Sequence, residues 1–168
     1  MNELDTAALI LRIALGVTLM AHGWNHGFGS GGLAGTAGWF ESIGLRPAKV
    51  HAAISAYAEL AAGAALVVGL LVPFAAAAGI GIMTVAFVTV HRRNGFFIFG
   101  DDEGYEYVGV LAFALTALAV LGGGELSVDH ALDLDLDGIA IGLGAAAGGI
   151  AAAAGLLLTC WRPPAKPA

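Results

Sequence analysis

Charged residues make up only 12% of the chain, about half the share found in ordinary soluble domains, and that scarcity excludes a water-facing surface of the usual kind. Basic residues are scarcer still. Seven Lys and Arg against thirteen Asp and Glu give a net charge of −6, so there is no basic stripe to neutralise phosphates and no case for nucleic-acid binding. Cys160 is the single cysteine, which excludes an intramolecular disulfide and a Cys-x-x-Cys redox pair. Any electron transfer therefore needs a bound cofactor. No His-Glu-x-x-His or Glu-x-x-His pattern is present, so no metal site is assigned.

What the sequence does have is apolar length. The chain is 58% hydrophobic with mean hydropathy +0.84, and five apolar runs are readable at about 6–22, 51–72, 73–90, 106–122 and 139–160. Each is near the roughly 20 residues that an α-helix needs to span a bilayer. The alternating ten-residue segments of a membrane β-barrel are missing, and helices are the other way to satisfy backbone polar groups in lipid. The fold class expected is an all-α integral membrane protein. The first run follows the acidic Asn2-Glu3-Leu4-Asp5 and contains Arg12, unlike a cleaved secretory signal, and reads as a retained span. Pro73 suits the first turn of a new helix, so runs two and three form a tight antiparallel hairpin.

Threading five spans puts Arg46, Lys49, Arg92, Arg93, Arg162 and Lys166 on one side of the membrane, with no Lys or Arg on the other. The positive-inside rule then places the amino terminus outside and the carboxyl terminus in the cytoplasm. The Gly-rich connection at 27–45 is too polar to cross, and Leu33, Trp39, Phe40 and Ile43 suggest a short amphipathic helix at the interface. The loop after the fourth span is acidic. Its Asp133, Asp135, Asp137 and Gly138 resemble the opening of an EF-hand, but Gly144 stands where the bidentate Glu belongs, so the loop reads as solvated. Gly144 and Gly148 of the fifth span form a small-x-x-x-small pair, suited to a dimer interface or to internal packing.

Ionisable side chains inside spans cost at least about 2.5–3.5 kcal/mol each and are functional candidates unless a partner explains them. Arg12 lies ten residues before His22 and Glu59 eight residues after His51. At 1.5 Å per residue these depths are about 15 and 12 Å, so an Arg12–Glu59 ion pair is expected near the bilayer centre. Ser55, Ala56, Ala62 and Gly63 share the Glu59 face, which turns the carboxylate into the bundle. A second group, His22, His26, His91 and Glu106, is expected at the cytoplasmic helix ends, where imidazoles can shuttle protons near neutral pH.

The stretches LILRIALGVTLMAHGWNHGFG (9–29), WFESIGL (39–45), YAELAAGAALVVGLLVPFAAAA (57–78), TVHRRNGFF (89–97), EGYEYVGVLAFA (103–114) and GGGELSVD (122–129) resemble the DoxX family of small bacterial membrane proteins. The resemblance implies a four-helix membrane domain over residues 4–132. An acidic loop with an additional transmembrane helix follows at 133–161, and a short basic tail at 162–168. It places Arg12, His22, Glu59, His91 and Glu106 on the family's polar intramembrane positions, while His26 stands where relatives often carry Lys or Arg. It also implies thiosulfate/quinone or oxidative-stress chemistry.

The expectation is a subunit of the cell inner membrane in which Glu59, Arg12, His22, His91 and Glu106 act on a quinone-like molecule contacted by His22, His26, Glu59 and His91. The rival expectation is a non-catalytic anchor for a soluble oxidoreductase. The fifth helix is available for a homo-oligomer.

Overall fold

The computed structural model describes residues 2–99 and 103–164. Among these residues seven α-helices follow one another: α1 (Glu3–Phe28), α2 (Gly32–Ser42), α3 (Ala48–Val68), α4 (Val72–Thr89), α5 (Glu106–Leu121), α6 (Val128–Ala131) and α7 (Ile139–Cys160). Among the described residues there is no strand, and the only β-like pairing is an isolated bridge between Leu45 and Trp161. Four helices, α1, α3, α4 and α7, are long and apolar enough to cross a membrane. The remaining expected span, the fourth, is α5, which has 16 residues and so is only about 24 Å long. It nevertheless runs from the level of His22, which bonds Tyr107, to that of Asp5, which accepts from Glu125 N.

Helix ends follow from local sequence. Asn2 caps α1 by accepting from Leu4 N and Asp5 N, while the Asp5 carboxylate accepts from Asn2 N in return, the reciprocal arrangement of a capping box. Gly69, at φ +74°, ends α3 in the left-handed region that residues with a β carbon avoid. Pro73 sits in the first turn of α4, as the hairpin requires.

The closest helix pair is α1 against α3, running antiparallel. A β carbon on Gly16 would lie 2.7 Å from Gly63 O, and one on Gly23 would lie 2.7 Å from Ala56 O. Backbones approach this closely only where side chains are absent. Against this pair, α4 and α5 complete a core that includes Leu15, Leu19, Leu66, Val72, Ile80, Leu115 and Leu118. α7 packs on α4 and α5. Its intimate contacts use Gly142 against Val120 and Gly149 against Ala77, whereas a β carbon on Gly144 or Gly148 would meet nothing within 4 Å among the described residues. The internal-packing option for the Gly144/Gly148 pair is thus taken by neighbouring glycines one helix face away.

At one end of the bundle the segment after α7 is tied to the α2–α3 connection. Arg46 N donates to Cys160 O, Arg162 N donates to Gly44 O, and Trp161 Nε1 donates to Ile43 O. The Arg92 guanidinium stacks on the Trp161 ring. Arg46, Arg92 and Arg162 therefore share one end of the bundle, as five traversals require; Lys166 lies outside the described residues.

Candidate functional site

The expected Arg12–Glu59 pair does not form. Arg12, only 2% exposed, directs its guanidinium to four carbonyls. Nε donates to Leu66 O, Nη2 to Val67 O, and Nη1 to both Gly123 O and Leu126 O. Asp129 faces it electrostatically and accepts from Leu71 N and Val72 N at the α3–α4 turn. Arg12 thus bonds carbonyls that end α3, Val67 O and Leu66 O, the second of which also accepts from Gly69 N. The reason for the mismatch is register. α1 continues six residues past His22, so Phe28 rather than His22 is level with the start of α3, and Glu59 packs beside Gly23. Eleven residues separate Gly23 from Arg12, or roughly 16 Å along the helix.

Glu59 is also 2% exposed. Its Oε1 accepts from Ser55 Oγ at 2.6 Å and lies 3.8 Å from His26 Nε2. Its Oε2 is buried without a hydrogen-bond partner among the described residues, and so is His51 Nε2. Both residues line a cavity of about 250 Å³ enclosed by α1 to α4 and α7. Its walls are otherwise mostly apolar, with Ala58, Ala77, Ala78, Gly81, Gly149 and Ala153 as small lining residues and Phe40, Ile43, Leu45 and Leu156 among the larger ones. Thr89 reaches the cavity too, but its hydroxyl donates to Val85 O within its own helix.

His26 is positioned by α2. Trp39 stacks on its ring at 6.0 Å between centroids, and Thr36 Oγ1 donates to His26 O. The interfacial helix expected from Leu33, Trp39, Phe40 and Ile43 is present as α2, and it does more than lie at an edge: it closes one side of the cavity.

The remaining expected residues make their hydrogen bonds to groups other than Glu59. His22 is exposed and its Nε2 lies 3.1 Å from Tyr107 Oη. His91 follows α4 in a single 3-10 turn and its Nδ1 bonds Glu103 O. Glu106, at the start of α5, accepts from Ile98 N in the loop before it. None of these three, nor Arg12, lines the cavity. Among the described residues no three His, Cys, Asp or Glu side chains converge on a common metal position. Sequence reasoning missed His51, which it took only as a span boundary. Its place four residues before Ser55 and eight before Glu59, along the same side of one helix, was the available signal.

What this arrangement offers chemically is a small apolar chamber with one buried carboxylate oxygen and one imidazole nitrogen free to bond a guest. Buried polar atoms are normally paired, and leaving one unmade costs about 1–3 kcal/mol.

The DoxX family's sequence model matches residues 7–92, just over half of the chain, from α1 through the 3-10 turn at His91. No curated protein and no solved structure matches.

Proposed function

Because the chain belongs to the DoxX family, we propose that it is a redox-linked subunit of the plasma membrane, amino terminus outside, that binds a quinone-like ring in the Glu59 cavity. One observation carries this reading: a carboxylate with an unpartnered oxygen is held in an apolar chamber just below the roughly 300–1,000 Å³ typical of ligand pockets. A quinone would supply the two-electron carrier that this chain's own side chains lack.

The residues do the rest. Ser55 fixes Oε1 of Glu59 and so aims Oε2 at the guest. Glu59 takes or gives the proton at Oε2, with His26 Nε2 3.8 Å from its other oxygen. His51 donates to, or accepts from, a second polar edge. Arg12 takes no part in this chemistry. His91 and Glu106, engaged with the loop between α4 and α5, are omitted from it, and His22 acts at most from outside through Tyr107.

Binding of decyl-ubiquinone, read from quenching of Trp39 at the cavity wall, tests the proposal. Glu59→Gln should weaken binding about tenfold or more, since a hydrogen bond to a charged group is worth about 1.5–3 kcal/mol. Equal binding by parent and variant refutes it. The anchor reading draws on one observation, the exposed Phe96, Phe97 and Phe99 beside the basic end of the bundle. It predicts instead that a soluble oxidoreductase co-purifies in a manner dependent on Phe97 and Phe99.

A further inference from the structure

The Glu59 cavity is closed at its ends and open at its side. Toward the basic end, the Trp161–Ile43 and Arg46–Cys160 hydrogen bonds tie the tail across it, and Phe40 and Leu45 beneath are buried. Toward the other end lies the packed core of Leu66, Val72 and Ala76. On the flank, α3 and α7 both pack on α4 but not extensively on one another, so α4 forms a floor between two separated walls. The cavity residues along this gap include Ile54 of α3, which is 52% exposed, together with the exposed Ala78 of α4 and Ala152 of α7. All three lie well inside their helices, away from the helix ends. In a bundle whose helices are membrane spans, an opening at that height faces acyl chains rather than water.

We propose that the gap between α3 and α7 is a lateral portal through which Glu59 is reached from the bilayer, so that the site takes a lipid-soluble molecule with a small polar head and an apolar tail. The dimensions support this class. A chamber of about 250 Å³ admits one substituted ring, and anything longer must leave through the opening. Small residues at the rim keep it passable: Ala58, Ala78 and Ala152 offer no side chain beyond a methyl group. The inference rests on Glu59 being the centre of the binding site, but it concerns the route rather than the identity of the guest.

Carbodiimides test the route. The carboxyl O–H adds across one C=N bond, oxygen to carbon and hydrogen to nitrogen, giving an O-acylisourea. Without a nucleophile the acyl group migrates to nitrogen and stays as an N-acylurea. With an amine present an amide forms and the urea departs. Protein in lipid nanodiscs is treated with dicyclohexylcarbodiimide or with a water-soluble dimethylaminopropyl carbodiimide, each in the presence of aqueous glycine ethyl ester, and Glu59 is read by peptide mass spectrometry.

The portal predicts an N-acylurea from the lipophilic reagent alone, its loss in Glu59→Gln, and its suppression in Ala58→Trp and Ala152→Trp but not in Val110→Trp on a different helix. Because the parent protein alone distinguishes N-acylurea from amide, the test survives misfolding of a rim variant. Modification of Glu59 by the water-soluble reagent, amide formation, failure of both reagents, or full labelling of folded rim variants overturns the portal. If labelling follows the prediction while decyl-ubiquinone does not bind, the route stands and the quinone assignment falls.

Discussion

Replacing Arg12 with Met keeps an unbranched side chain of similar length while removing every donor. In the parent, one guanidinium serves Leu66 O, Val67 O, Gly123 O and Leu126 O and faces Asp129. Breaking a buried charged constellation by deleting one partner costs about 3–5 kcal/mol, a large part of the 5–15 kcal/mol that typically separates folded from unfolded chains. The cost arises because the end of α3 and the 123–126 loop lose their shared partner together. Reversible unfolding in mixed micelles, followed by circular dichroism, measures the loss. A cycle with Asp129→Asn should show coupling of about 0.5–3 kcal/mol, whereas a cycle with Glu59→Gln should be additive within about 0.5 kcal/mol, as expected for distant sites. A loss below about 1 kcal/mol, or a strong Arg12–Glu59 coupling, would refute the assignment of Arg12 to the α3 terminus.

Two further substitutions probe the frame of the site. Gly16→Ala places a methyl 2.7 Å from Gly63 O; because that neighbour is backbone, the α1–α3 pair must separate, and the same unfolding assay should show a loss of about 1–3 kcal/mol. Trp161→Phe deletes the Nε1 donor to Ile43 O while keeping a ring under Arg92, so it should cost only about 0.5–1.5 kcal/mol, and faster proteolysis of the tail with the bundle intact would be its signature.

The spans were legible because their signal is compositional. The boundaries expected at 139 and 160 coincide with α7, and those at 73–90 and 106–122 fall within a residue of α4 and α5. The second run, 51–72, missed the bounds of α3 by three and four residues, and the first was further off. That first run was ended at His22, just before Gly23, yet Gly23 is the contact point with Ala56 and Leu60, and α1 runs on to Phe28. That one misreading shifted the inferred register by six residues and produced the false Arg12–Glu59 pair. A better signal was present: Gly16 and Gly23 on one helix, Ala56 and Gly63 on the other, both seven apart, which sets an antiparallel register directly. The spread of the histidine group has a different cause. Shared membrane depth says nothing of direction around the bundle, and His22, His26 and His91 point to three different neighbours. The cavity was beyond reach of the sequence, since it depends on α3 and α7 flanking α4.

Arg12 and Glu59 looked equivalent in the sequence, as two charges inside spans, and the structure separates them by how well each is satisfied. Every bond that Arg12 makes closes on the protein itself, which marks a group retained for the fold. Glu59 is buried to the same extent with an oxygen left over, and burial without a partner is a cost the fold alone gives no reason to bear. The same apolar substitution at both positions should therefore have opposite effects. Glu59→Met removes the unmade bond and frees the Ser55 hydroxyl to turn back on the carbonyl four residues earlier, the habit of Thr84, Thr89 and Thr116 in this bundle. Stability should be unchanged or raised by about 1–3 kcal/mol, while decyl-ubiquinone binding is lost. A Glu59→Met protein that unfolds as readily as Arg12→Met would make the carboxylate structural, and the cavity would then have no claim to a ligand.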